Sequence, residues 1–318
     1  MLGIYLRLVA TMTFWGGTFI AGRLLADIGP STAALGRFTV ASLCMVALCH
    51  RLEGGLPRLD RSQILPVLLL GLTGVFLYNL FFLTGLKTVT AGRASLIIAT
   101  APAIIATLAA LLLKEPFGLP KALGLCLSIT GALTVISRGN LDAILAQARF
   151  GDLLIFGCVL CWSSYTLLAK RAMRGLSPLA AVTWSCVVGM FMLVPLAVNE
   201  GLFRELARAG VVEWASMIYL GMFGTAVGFF WYYQGIKRLG AARAGVFINL
   251  VPVNAVLMGW LLLGEAVDMS LAAGAALILT GVYLVNRPQP GTPTSVPSPE
   301  IANAPASGVA AGSDSSRR

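Results

Sequence analysis

The sequence predicts an all-α integral membrane protein, ten transmembrane helices built as two inverted five-helix repeats. Three observations carry that expectation: a shortage of charge, a train of apolar windows each long enough to cross a bilayer, and a match of the chain to itself at a fixed offset. Of 318 residues, 11% are charged and 58% belong to the AVILMFWYC set, with 35 Gly in addition. Soluble domains carry roughly 25% charge, because their surface has to be wetted. A formal net charge of +10 would draw nucleic acid if the Lys and Arg were clustered. They fall singly or in twos and threes between apolar stretches, as in the loops of a membrane protein. The expected partner is the lipid bilayer, not nucleic acid.

A spanning helix needs roughly 20 apolar residues. Ten windows qualify: 4–22, 31–50, 64–86, 92–113, 119–137, 151–170, 178–198, 211–236, 241–263 and 270–286. They are continuous instead of alternating, which excludes a membrane β-barrel. With Arg7 ahead of its apolar run, the first window resembles a signal peptide, but it has a partner later in the chain and so belongs to the body of the protein. Beyond Arg287 the composition turns to Pro, Ser, Ala, Gly and Thr, so residues 288–318 are expected to form a disordered cytoplasmic tail. Of the 23 Lys and Arg, 15 lie on the side of the membrane that holds the N-terminus and 7 on the other, with Arg37 inside the second window. Positive charge marks the cytoplasmic side, which places both termini there.

Shifted by 150 residues, Gly71 falls on Gly221, Gly74 on Gly224, Gly85 on Gly235 and Lys87 on Lys237. The same register carries Arg93 onto Arg243, Pro102 onto Pro252, Glu115 onto Glu265, Gly124 onto Gly274 and Gly131 onto Gly281. With a slightly smaller offset Trp15 falls on Trp162. The first repeat is taken as 1–138 and the second as 151–287. An odd number of helices per copy forces the second copy into the membrane upside down. Inverted repeats are the architecture of secondary transporters, with the substrate held at the repeat interface near the midplane.

The same residues carry a family resemblance. Each half resembles the EamA unit of the drug/metabolite transporter superfamily: Trp15-Gly16-Gly17-Thr18-Phe19 and Trp162-Ser163-Ser164-Tyr165 match its tryptophan signature, and Ala91–Glu115 and Ala241–Glu265 match its Pro-containing helix with a closing Glu. The resemblance covers roughly 4–286 and, within the superfamily, is similar to the YddG-type exporters of aromatic and other amino acids. It implies ten helices, both termini inside, and export or exchange of small metabolites.

Candidate site residues follow from what is expensive in lipid. Arg37, isolated inside a window, either snorkels or offers a fixed positive charge to a substrate carboxylate in a water-filled cavity. Trp15, Tyr78, Phe82, Trp162, Tyr165 and Tyr232 lie at mid-window depth, several spaced three or four apart on one helical face; they either pack or face lipid, or line a cavity, where the Tyr and Trp tips find partners. Asn79 and Asn249 are expected to face inward beside them, Asn249 midway along the ninth helix. Pro102 and Pro252 are expected to kink the fourth and ninth helices. Glu115 and Glu265, at the ends of apolar runs, read as interfacial carboxylates, and Asp152 and Glu213 lie at window edges. No other acid lies in a helix interior, so a dedicated proton relay lacks its usual residues. His50, the single histidine, is interfacial. Trp184 is expected to face lipid.

No enzyme is expected: there is no HExxH, no deep histidine and no pair of deep aspartates. The six cysteines fall inside apolar segments and read as small hydrophobes, neither metal ligands nor disulfide partners, and no cofactor is called for. The expected activity is secondary export of amino acids with aromatic or other hydrophobic side chains, by alternating access and with a monomer as the working unit. Multidrug or quaternary-ammonium export, export of another amphipathic metabolite, and channel-like facilitation stand as alternatives.

Overall fold

The structure is a computed structural model that describes residues 2–113, 118–137, 150–172, 175–239 and 247–286. The expectations for Glu115 and for the 288–318 tail lie outside them. The described residues are helical throughout, with no strand among them. The helices are α1 Leu2–Leu24, α2 Pro30–Glu53, α3 Arg61–Leu86, α4 Ala91–Ile98 continuing as Ala101–Leu113, α5 Leu119–Ser137, α6 Phe150–Ala172 and α7 Pro178–Asn199. After a short connecting helix, Leu202–Arg208, come α8, Val211–Gly221 continuing to Leu239, α9 Phe247–Leu263 and α10 Met269–Asn286. The stretches from α1 to α8 are long and apolar enough to cross a bilayer, while the described parts of α9 and α10 are apolar but shorter.

Two of these helices share one irregularity. α3 widens into a π-helical segment at Gly71–Leu77, and α8 does the same at Met222–Val227. The two segments occupy equivalent positions under the 150-residue offset. Segments of π-helix are rare and concentrate at functional sites.

The helices are brought together by small residues. Lipid tails are as apolar as Leu, so helices in a bilayer gain little from burying hydrophobic surface and associate through close backbone approach. At the crossing of α5 and α10, a Cβ on Gly124 would stand 2.5 Å from the carbonyl oxygen of Gly281 and 2.9 Å from the Val285 nitrogen, and one on Gly131 would stand 2.8 Å from the Gly274 oxygen. Other paired glycines make equivalent contacts. Gly71 of α3 meets Val188 and Gly189 of α7, and Gly221 of α8 meets the Arg37 carbonyl, Val40 and Ala41 of α2. Gly85 of α3 takes Ile155 of α6, and Gly235 of α8 takes Leu8 of α1. Repeat-equivalent glycines therefore receive repeat-equivalent helices.

At Gly124 and Gly281 the close approach includes backbone atoms of the facing helix, which no side-chain movement can relieve. Gly124→Val is expected to destabilise the protein by about 1–3 kcal/mol through overpacking, read as a lower melting temperature in detergent. Ala276→Val, on the exposed face of α10, should leave melting nearly unchanged. Equal melting of the two variants would remove the close-packing account.

Candidate functional site

The polar centre of the fold is Arg37 on α2. Only 9% of it is exposed. Its Nη1 donates to Asn79 Oδ1 at 2.8 Å and its Nη2 to Thr225 Oγ1 at 3.4 Å. The guanidinium carbon lies 5.1 Å from the centre of the Phe38 ring. Both acceptors are oriented by backbone within or beside the widened segments. Asn79 Nδ2 donates to the Val75 carbonyl at 2.7 Å, and Thr225 Oγ1 donates to the Leu220 carbonyl at 3.1 Å. The charge thus bridges the irregular stretches of α3 and α8. Its Nε has no hydrogen-bond partner, and among the described residues no carboxylate pairs with it.

Aromatic rings flank this centre. On α1, α3 and α6 they form a continuous series: Phe19 against Phe82 at 5.3 Å, Tyr78 stacked on Phe82 at 5.9 Å, Tyr78 against Trp162 at 6.1 Å, and Trp162 stacked on Tyr165 at 5.3 Å. The Tyr165 ring sits over Gly74 in the widened segment of α3. A second group forms on α1 and α8, where Trp15 lies 5.7 Å from Phe229 and 5.3 Å from Tyr232. Its indole nitrogen donates to the Gly224 carbonyl at 3.1 Å. Each widened helix thus receives an aromatic from the first helix of one half of the chain.

Charged contacts gather at the starts of α2, α4 and α6. The Arg93 Nε and Nη2 donate to the two oxygens of Asp152 at 2.8 and 2.6 Å, and Nη2 also reaches the Ile136 carbonyl at 2.9 Å, which ties the start of α4 to α6 and α5. Glu265 turns back past Gly264, whose φ of +65° suits glycine, and accepts from the amides of Ala91 and Gly92 at 2.8 and 3.1 Å. Glu200 accepts from the amides of Ser31 and Thr32 at 3.1 and 2.9 Å. Two acids from the second half of the chain therefore satisfy unpaired N–H groups at two helix starts of the first.

The model of the EamA-like transporter family matches residues 1–137 and again 149–287. The chain belongs to the EamA-like transporter family. It is 30% identical over 284 residues to a probable terminal-alkyne amino-acid exporter of Streptantibioticus cattleyicolor, covering 88% of this chain and 92% of that protein. It is 29% identical to the uncharacterized transporter YyaM of Bacillus subtilis, with the same coverages. A solved crystal structure covers 89% of this chain and is itself covered to 95%, at a TM-score of 0.61 and 20% identity, which shows a shared fold. Family and relatives are transporters, so this is a multi-pass membrane protein of a transport family.

Within this EamA protein the expected site residues separate into three groups. Arg37 and Asn79 are bonded to each other. Tyr78, Phe82, Trp162 and Tyr165 share one series of rings, although Phe82 is only 2% exposed and belongs to the core as much as to any wall. Trp15 and Tyr232 share the other. Asn249 joins none of these: it ends a 3-10 turn, Phe247–Asn249, directly ahead of the helical run that begins at Leu250, and the part of its window before Phe247 lies outside the described residues. Pro252 consequently lies in a first helical turn, where its missing N–H has no partner to lose. Pro102 follows a break in α4 at Ala99–Thr100. Trp184 is tethered, its indole donating to the Pro57 carbonyl at 3.0 Å. Thr225 is the site residue that sequence reasoning missed; its signal was a hydroxyl inside the apolar stretch of α8. Asp152, placed at a window edge, is 3% exposed and ion-paired.

Removing one member of a buried ion pair leaves the other charge uncompensated. Asp152→Asn is expected to destabilise the protein by about 3–5 kcal/mol, and Arg93→Met in the same chain should recover most of the loss. Melting curves of the single and double variants check this; an additive double variant would exclude a direct pair.

Proposed function

We propose that this EamA-family protein is a secondary exporter of small metabolites, and that its substrates are amino acids with aromatic or other hydrophobic side chains. The observation that carries this reading is the joining of the two halves at one polar, aromatic-flanked centre, between equivalent widened segments of α3 and α8. In the proposed architecture the two halves, 1–138 and 151–287, are five-helix repeats of opposite orientation. Ten spans are set in a bacterial inner membrane with both termini in the cytoplasm. Alternating access then consists of one half rocking against the other around the shared centre. Trp15, Tyr78, Phe82, Trp162, Tyr165 and Tyr232 supply flat apolar walls with hydroxyl and indole tips, Arg37 and Asn79 meet the polar end of the substrate, and the break ahead of Pro102 gives α4 a hinge. The amino-acid reading is supported by the relative from Streptantibioticus cattleyicolor, named as a probable exporter of an amino acid. Quaternary-ammonium export is disfavoured by the buried cation, which repels such a substrate. Asp152 and Glu265 are occupied by an arginine and by helix amides, so export proceeds without an obligatory proton.

Orientation is checked by Pro290→Cys in a cysteine-free background. The introduced thiol should resist an impermeant reagent added to intact cells and react after permeabilisation; labelling from outside would overturn the topology. Transport is checked by counterflow of labelled amino acids in proteoliposomes, which should saturate and be competed. Tyr78→Ala and Trp162→Ala should shift apparent affinity or selectivity several-fold with only a small change in melting. Unselective loss, with melting lowered as far as in Gly74→Leu, would assign these rings to packing.

A further inference from the structure

The chain carries two buried arginines whose surroundings differ in one respect. Arg93 is 8% exposed and Arg37 9% exposed. In Arg93 the edge formed by Nε and Nη2 is filled by the two oxygens of Asp152, at 2.8 and 2.6 Å. In Arg37 the same edge holds an Nε with no partner and an Nη2 whose contact, Thr225 Oγ1, lies at 3.4 Å, while the tight bond to Asn79 is on the other nitrogen, Nη1. A contact of 3.4 Å is beyond the usual range for a hydrogen bond from nitrogen to oxygen. Planar, two-bond recognition of a carboxylate is the geometry this edge is built for.

We infer that Arg37 is the receptor for a substrate carboxylate, which takes the Nε–Nη2 edge of its guanidinium in the two-bond arrangement Asp152 makes with Arg93. The assignment rests on the transporter reading above and names the group that the transported molecule must carry. The surroundings narrow the class further. The other partners of the guanidinium, Asn79 and Thr225, are neutral, so the site balances one negative charge. A phosphate ester, with nearly two charges and three acceptor oxygens, would be left undercompensated. The nearby series Tyr78, Phe82 and Trp162 is apolar, so the remainder of the molecule is a hydrophobic body. The ligand class is a monocarboxylate with an aromatic or alkyl side chain, free amino acids among them. A permanent acid at this edge would satisfy the cation within the protein and abolish the preference. Neutral partners hold Arg37 in place and leave its strongest interaction to the ligand.

The test uses the full-length protein, in proteoliposomes for counterflow and in detergent for ligand-dependent melting. The probes are L-phenylalanine, L-phenylalaninamide, 3-phenylpropanoate and 3-phenylpropanamide. Within each acid–amide pair the side chain is constant and the carboxylate changes. In the unmodified protein the acids should compete for counterflow, and raise the melting temperature, at concentrations at least about tenfold below those of their amides, the effect of one strong charge-assisted contact. Arg37→Gln should bring each pair to within about twofold. Arg37→Lys should keep part of the preference, because an ammonium retains the charge but not the planar edge. Where Arg37→Gln does not fold, the acid-to-amide ratio of the unmodified protein and of Arg37→Lys decides. Equal potency of acids and amides in the unmodified protein, or a preference that survives in Arg37→Gln, overturns the assignment. Saturable counterflow without acid preference leaves the exporter reading intact and removes Arg37 as receptor. Acid-selective melting without counterflow of any probe keeps the receptor and removes the export of these substrates. If the probes neither exchange nor shift melting, the assignment falls.

Discussion

A polar group carried into hydrocarbon has to be answered inside the protein, because the lipid offers no hydrogen bonds in return. That constraint organises the molecule. At the starts of α2, α4 and α6 it is met in full: Glu265 and Glu200 take up the free amides of α4 and α2, and Arg93 and Asp152 neutralise each other. Each of these contacts joins the two halves of the chain, so satisfying the polar groups and holding the halves together are one act. At the centre the same constraint is met only in part, by Asn79 and Thr225 at Arg37. The rim is satisfied and the centre only half satisfied.

The backbone makes the second contribution. Glycines let α5 and α10 touch along their main chains, and let α3 and α8 accept α7, α2, α6 and α1 at equivalent points. The widened segments occur on the two helices that collect these contacts. Their irregular hydrogen bonding is tolerated because Asn79, Thr225 and the Trp15 indole bond to carbonyls within or beside them. Packing and polar chemistry therefore meet on the same turns of helix, and a side chain that moves there is felt by both halves.

Much of the site was legible as spacing. Tyr78 and Phe82 are four residues apart and Trp162 and Tyr165 three, and both pairs stack. Arg37 was legible as a lone charge inside an apolar window. What could not be read was the angular position of each side chain once helices depart from 3.6 residues per turn. Thr225 turns toward Arg37 from within a π-helical segment, where the ordinary helical wheel no longer gives the face. The face of Asn249 is equally hidden, since it ends a 3-10 turn. Trp184 looked free of partners because its acceptor, the Pro57 carbonyl, lies 127 residues away in the chain.

The sequence by itself determined the class of solvent, the positions of the apolar helices and the pairing of one half with the other. These properties depend on composition, on run length and on a register shared by glycines, and all three are local or periodic. Only the tertiary structure decided which charges are answered. The sequence sets Arg37 inside an apolar window and Arg93 near a window edge, but it does not say that Arg93 finds an acid 59 residues away on α6 while Arg37 meets an asparagine of α3 and a threonine of α8. Charge compensation in a membrane protein depends on distances between helices, and those distances exist only after the helices have packed.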